Sequence, residues 1–205
     1  MTPIYKNRWL WAFLIGVTVV TLTRPLLRRI PSPPAVLAQL PPFSLVDAGG
    51  QDFGPADLER GVWILAFFST SGDSTCAGLI ESMNELGRRY DEARVAEVLL
   101  LGIAAEPAGT TAEVLGEFAE TRGLAPPRWS LVTGDPDEIR RLADALLEAI
   151  GESSGPEGFQ GGVPRPCRLF LVDGSGGIRG AFRDDKMGLD EVLHRAQHVA
   201  RATAR

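Results

Sequence analysis

Apolar residues gather in three ways along this chain, and each way predicts a different element. Near the start, Trp9 to Leu22 runs without a charge between Lys6 and Arg8 on one side and Arg24, Arg28 and Arg29 on the other. Further on, Val62 to Phe68, Val95 to Ala104, Trp129 to Thr133 and Arg168 to Asp173 are short runs rich in branched and aromatic side chains. Continuous apolar runs of strand length belong to strands covered on both faces. Between them, apolar positions recur at helical spacing. Leu79, Met83, Leu86 and Tyr90 predict a helix from about Cys76; Val114, Leu115 and Phe118 predict one capped by Thr110 or Thr111. Asp135 followed by Pro136 starts another helix, which Gly151 ends. Leu189 to Arg201 predicts the last.

Turn residues set the connections. Phe43 to Val46, the turn Asp47-Ala-Gly-Gly, and Gln51 to Phe53 read as a short hairpin. A Gly/Ser turn between Arg168–Asp173 and Gly177–Phe182 makes a second one. The order is therefore hairpin, then βαβαβα, then ββα, an α/β fold with a central mixed sheet and helices on both sides. Residues 43–205 form one domain by this reading. Residues 1–8 are a tail, 9–29 a transmembrane anchor, and 30–42 a semi-rigid Pro-rich linker. A spanning helix needs about 20 apolar residues. The run reaches that length if Arg24 snorkels and Leu26 and Leu27 lie in the interface. A cleaved signal peptide competes, since Val36-Leu-Ala38 offers small residues, but arginines and prolines hold that site away from the apolar run.

Composition and charge narrow the function classes. With 44% hydrophobic and 23% charged residues, the chain has enough apolar matter for a core, which excludes wholesale disorder. Two cysteines exclude a disulfide scaffold or a four-thiolate zinc site. The net charge of −5 is uneven: residues 1–46 carry five bases and no acid, which leaves 16 bases against 26 acids, a net of −10, in the rest. So acidic a body is no nucleic-acid binder, because phosphate contacts need clustered positive charge. It suits a basic partner or a cation.

Few side chains carry candidate chemistry. His194 and His198 share a helix face, but the zinc-protease pattern needs Glu after the first His, and Arg195 stands there. A solvated helix face is the expectation for both. Gly174-Ser-Gly-Gly177 leads into a strand, not a helix, so it is a hairpin turn and not a phosphate loop. Asp and Glu are too evenly spread to single out a catalytic pair. Cys76 at a helix start has two readings. A thiolate there gains from the helix dipole and free amides, an effect that Asp73 opposes; otherwise the residue is a small buried hydrophobe. Cys167, at the edge of a strand, reads as a core cysteine or as a residue facing a site.

Phe67-Phe68, a polar loop and Cys76 at a helix start resemble the layout of thioredoxin-like folds. Three further stretches resemble the Sco/SenC family. They are Ile103 to Ala119, with Glu106-Pro-Ala-Gly-Thr-Thr111; Trp129 to Ile139, with Val132-Thr-Gly-Asp-Pro136; and Leu169-Phe-Leu-Val-Asp-Gly-Ser-Gly176. The family binds copper with a Cys-x-x-x-Cys pair and a distant His, a donor set whose softness suits that metal, and it serves cytochrome c oxidase assembly. Cys76 matches the second cysteine, Gly72 stands where the first belongs, Arg165 stands near the expected His, and Glu106 matches an acidic residue beside the site. The resemblance thus implies Cys76 as a residual metal ligand or redox thiol, with Cys167 as its possible redox partner. With two of three ligands absent, copper binding is expected to be weak, and no cofactor is assigned. Neither His is near Cys76 in the family fold, so no nucleophile–His–acid set arises.

What the resemblance implies overall is an anchored inner-membrane protein with its domain in the periplasm. It would support copper-site assembly of a terminal oxidase without the usual copper binding, with an oxidase subunit or another copper chaperone as partner. A thiol–disulfide or peroxide-handling protein using Cys76, and a non-catalytic interaction domain, remain alternatives. Cys167 lies two residues beyond the missing His position, on the same strand face. The resemblance therefore brings Cys76 and Cys167 together, and an oxidising compartment favours a disulfide between them. Such a bond would close a loop of about 90 residues, which in the chain-entropy model is worth roughly 4–5 kcal/mol.

Overall fold

The computed structural model describes residues 8–27, 33–70, 76, 78–105, 110–153, 159–160, 163–164 and 167–203. The chain divides into a unit over 1–32 and a unit over 33–205. In chain order the elements are α1 (Arg8–Leu27), β1 (Ala38–Gln39), β2 (Leu45–Asp47), β3 (Asp52–Phe53), β4 (Val62–Phe68), α2 (Leu79–Glu92), β5 (Val98–Ala104), α3 (Ala112–Arg122), β6 (Trp129–Thr133), α4 (Pro136–Glu148), β7 (Phe159–Gln160), β8 (Val163–Pro164), β9 (Arg168–Val172), β10 (Gly177–Arg183) and α5 (Lys186–Thr203).

The longest apolar strands sit where water cannot reach. Every residue of β4 and of β5 is buried, so both faces of the sheet are covered there. The two strands pair in parallel from Val62 opposite Val98 to Phe68 opposite Ala104. Around them the described strands form one sheet in the order β1-β10-β9-β4-β5-β6-β2-β3, with β7 and β8 as a separate hairpin. β6 continues the parallel set beside β5, whereas β9 runs antiparallel to β4 on the other side. The sheet is mixed, as the sequence order implies. Part of the expected linker is folded into it: Ala38 and Gln39 pair with Ile178 and Gly177 at the β10 edge.

Helix positions follow from local chemistry. The Thr111 side chain accepts from the Val114 amide at 3.3 Å, and Asp135 accepts from the amides of Asp137 and Glu138, each satisfying donors that the first helical turn leaves unpaired. α2 buries Leu79, Ile80, Met83, Leu86 and Tyr90, and the Tyr90 hydroxyl donates to the carbonyls of Val192 and Leu193 in α5. Burial pushes the Tyr90 phenol well above its ordinary pKa. The expected face of α3 is corrected: Leu115 is buried, but Val114 is 38% exposed. β5 starts at Val98 rather than Val95, because Arg94 takes a positive φ of 56° and the next residues complete the turn out of α2.

In the first unit, α1 carries exposed apolar side chains, among them Trp9, Phe13, Ile15 and Val20. The expected spanning anchor over 9–29 is not found: among the described residues no helix is long and apolar enough to cross a membrane. The uncharged stretch Trp9–Thr23 ends at Arg24 and Pro25. Its 15 residues give about 22 Å of helix, and only all 20 residues of α1, charged ends included, match a hydrocarbon core of about 30 Å.

A buried carboxylate ties the second hairpin together. Asp173 accepts from the Ser175 hydroxyl at 2.6 Å, the Ser175 and Gly177 amides at 2.9 Å, and Arg179 Nε at 2.6 Å. Arg179 in turn donates to the Pro34 carbonyl at 2.6 Å. Burial alone would raise the Asp173 carboxyl, but the Ser175 hydroxyl, the Gly177 amide, the Arg179 guanidinium and the Ser175 amide together hold it below the ordinary value of 3.8. A depressed native pKa stabilises the fold at neutral pH, and that contribution disappears as pH falls below the unfolded value and through the native one. Urea melts of the wild type should therefore lose stability below about pH 4 more steeply than those of Asp173→Asn, which should be less stable at pH 7 by about 2 kcal/mol. Parallel pH profiles for the two proteins would contradict this.

Gly188 offers a sharper steric test. A Cβ there would stand 2.2 Å from the Arg183 carbonyl oxygen and 2.8 Å from its nitrogen. Backbone atoms cannot swing aside as a side-chain end can, so Gly188→Ala should cost about 3 kcal/mol in a urea melt. Gly78→Ala, with nothing within 4 Å, should shift it by only a few tenths.

Candidate thiol–disulfide centre

The two cysteines meet at the carboxyl end of β4. After Phe68 the chain leaves the sheet, and the Ala105 amide donates to the Phe68 carbonyl at 3.0 Å, carrying the parallel pairing one step past β5. Cys76 then lies in a turn whose carbonyl accepts from the Leu79 amide at 3.0 Å. The helix expected from about Cys76 begins instead at Leu79, so Cys76 stands one turn before α2 rather than on it. From the other side β9 approaches with Leu65 opposite Phe170, and continuing that register sets Cys167 opposite Phe68. The carboxyl ends of parallel strands are where open α/β sheets present their functional groups.

Cys76 and Cys167 are joined by a disulfide, with Cα atoms 5.7 Å apart and a sequence separation of 91. That separation is ordinary for a bridge. The two residues are unequally covered: Cys76 is 3% exposed, whereas Cys167 is half-buried against the core. Cys76 is thus both buried in the core and paired with Cys167, the redox partner that the family resemblance implied. Phe67 packs edge-on against Phe170 at 6.5 Å, and Phe68 packs against Phe118 at 5.1 Å. The first contact ties β4 to β9 and the second ties β4 to α3.

Two charged residues at the site escaped the sequence reading. Arg168 donates through one guanidinium nitrogen to Glu152 Oε1 at 2.7 Å, and through the other, at 3.5 Å, to the carbonyl of Cys167. Glu152 Oε2 is buried without a hydrogen-bond partner. Arg168 could have been suspected from its place beside Cys167. Glu152 gave no such signal, because it follows α4 and reaches the site only through the tertiary fold.

The other site candidates do not converge here. Gly72, Asp73, Glu106 and Arg165 lie outside the described residues. His194 is exposed and His198 half-exposed on α5, whose buried residues are Gly188, Val192, Ala196, Val199 and Ala200. Among the described residues no group of three or more His, Cys, Asp or Glu side chains is placed to hold a metal ion. A soft cation needs thiolate donors, and in this state both sulfurs are committed to each other. The donor set of the disulfide form does not fit copper.

Comparison with known proteins agrees with the fold. A SCO1 protein homolog of Bacillus subtilis (strain 168) is 23% identical over 141 residues, covering 68% of this chain and 71% of that protein. BsSco, a member of the Sco family of cytochrome c oxidase assembly proteins, superposes with a TM-score of 0.67 at 20% identity, over 83% of this chain and 97% of that one. Yeast Sco1 with copper bound gives a TM-score of 0.59 at 19% identity, over 82% and 98%. At these identities the likeness speaks for the fold, a mixed sheet flanked by helices consistent with the thioredoxin-like Sco fold. The family model described as SCO1/SenC matches residues 34–201, nearly the whole second unit and both cysteines, and on that match the chain belongs to the SCO1/SenC family.

Proposed function

We propose that this chain supports copper-site assembly of a respiratory terminal oxidase as a membrane-anchored thiol–disulfide protein, without the three-ligand copper site of its relatives. The observation that carries the reading is the bridge between Cys76 and Cys167 at the end of β4. Reduced, it supplies two adjacent thiols and two electrons; oxidised, it accepts two electrons from a partner dithiol. The oxidase role rests on the family, since BsSco is described as one of the cytochrome c oxidase assembly proteins. The partner would be an oxidase subunit or another copper chaperone. Loss of the gene should lower the copper content of the oxidase, and an oxidase with full copper in its absence would remove this role.

Copper affinity separates this reading from the ordinary family chemistry. Gly72 and Arg165 occupy the positions of a cysteine and a histidine ligand, so two thiols are all that reduction can offer. In competition with a cuprous chelator, the oxidised chain should take up no copper. The reduced chain should hold it more weakly, by orders of magnitude, than the double variant Gly72→Cys with Arg165→His. Tight, stoichiometric copper on the unaltered chain would refute the proposal.

The location follows from α1. Exposed tryptophans and aliphatic side chains, with basic residues at both ends of the run, suit a helix held in the inner membrane, with residues 43–205 in the periplasm. An oxidising compartment is also where a structural or catalytic disulfide persists. Alkaline carbonate extraction should leave the full-length chain in the membrane pellet; its release into the soluble fraction would contradict anchoring.

A further inference from the structure

We infer that thiol–disulfide exchange at this centre begins on Cys167 and releases Cys76. The inference rests on the thiol–disulfide reading proposed above and adds to it a direction. The family comparison draws attention to Cys76, which matches a cysteine of the metal site. The geometry favours the other sulfur.

Access comes first. An attacking thiolate must approach one sulfur in line with the S–S bond, and the rate depends on which sulfur can be reached. Cys76 is 3% exposed, while Cys167 is half-buried at the margin of the core. The leaving group comes second. Cys76 stands one turn before α2, a helix of 14 residues, whose first amides and dipole favour a departing negative charge. A better-stabilised thiolate leaves faster. Charge beside the attacked residue comes third. Arg168 follows Cys167 directly and donates to its backbone carbonyl at 3.5 Å, so a guanidinium stands next to the backbone of that residue. Glu152 neutralises that guanidinium through Oε1 at 2.7 Å and leaves its buried Oε2 without a partner. The pair sets how strongly the site attracts a charged thiol, which makes Glu152 and Arg168 positioning residues for the exchange.

The chemistry balances without any further reactant. A partner thiolate forms a bond to Cys167 Sγ. The bond between Cys167 and Cys76 breaks, and its electron pair departs on Cys76 Sγ, which takes a proton from water. The partner's second thiolate then attacks the partner sulfur held on Cys167. This forms the partner's own disulfide and leaves Cys167 as a thiolate. The chain gains two electrons and the partner dithiol loses two.

The test uses the full-length oxidised chain in detergent, so no cysteine is altered and folding is not at stake. The chain is mixed with 3-mercaptopropionate, quenched with acid at early times, blocked with N-ethylmaleimide and read by peptide mass spectrometry. The expected products carry mercaptopropionate on Cys167 and maleimide on Cys76, in at least tenfold excess over the reverse pair. The reverse pair in the majority would overturn the direction and leave the thiol–disulfide reading standing. No exchange in the folded chain, with normal exchange after denaturation, would overturn both. In Glu152→Gln, the rate with anionic 3-mercaptopropionate should rise severalfold relative to cationic cysteamine; an unchanged ratio would remove the Glu152–Arg168 pair from the exchange.

Discussion

Everything in the second unit is arranged around the burial of β4 and β5 as a parallel pair. Two runs of seven apolar or small positions, all buried, lie side by side at the centre of the sheet. Burying them obliges the sheet to be central and its faces to be covered. Gly102 marks how tightly that requirement is met, since a Cβ there would lie 2.6 Å from Leu131 and 3.1 Å from Phe68. Because β4 is fixed, its carboxyl end is fixed, and the bridge forms there between a turn on one side and β9 on the other. The site inherits its geometry from the core.

On the function proposed above, that dependence explains how a thiol pair can stand at this position without the other ligands of a metal site. A three-ligand centre needs donors from separate loops to converge on one ion, and each donor must be the right residue. A disulfide needs only two Cα atoms at a suitable separation. Here the sheet register and the turn before α2 provide that separation. The chain keeps the scaffold of the SCO1/SenC family. The bridge also closes a loop of 91 residues, which in the chain-entropy model constrains the unfolded state by roughly 4–5 kcal/mol. One bond therefore serves the fold and the proposed chemistry together.

Much of this was legible in the sequence wherever a run of residues carried its own signal. Val62–Phe68 and Trp129–Thr133 are strands with the expected bounds, because long apolar runs leave the chain no alternative to burial. Asp135 and Pro136 announce the start of α4 through capping chemistry alone. Elements defined by tertiary pairing were silent. The strand at Ala38–Gln39 has two residues and exists because Gly177 and Ile178 lie beside it. The 3-10 helix Pro55–Arg60 and the β7–β8 hairpin are likewise short local responses to packing. At the site, proximity of Cys76 and Cys167 followed from the family resemblance and not from spacing. The Glu152–Arg168 pair could not be foreseen, because its members lie 16 positions apart in sequence and meet only through the tertiary fold.

The account turns on the state of the two sulfurs in the native protein. The most direct measurement is the thiol state of the chain taken from growing cells, trapped in acid, alkylated under denaturing conditions before and after reduction, and weighed intact. The account predicts no alkyl group before reduction and two afterwards, as an assembled Cys76–Cys167 pair requires. Two alkyl groups before reduction, with a cuprous ion retained by the same protein in parallel native preparations, would contradict it.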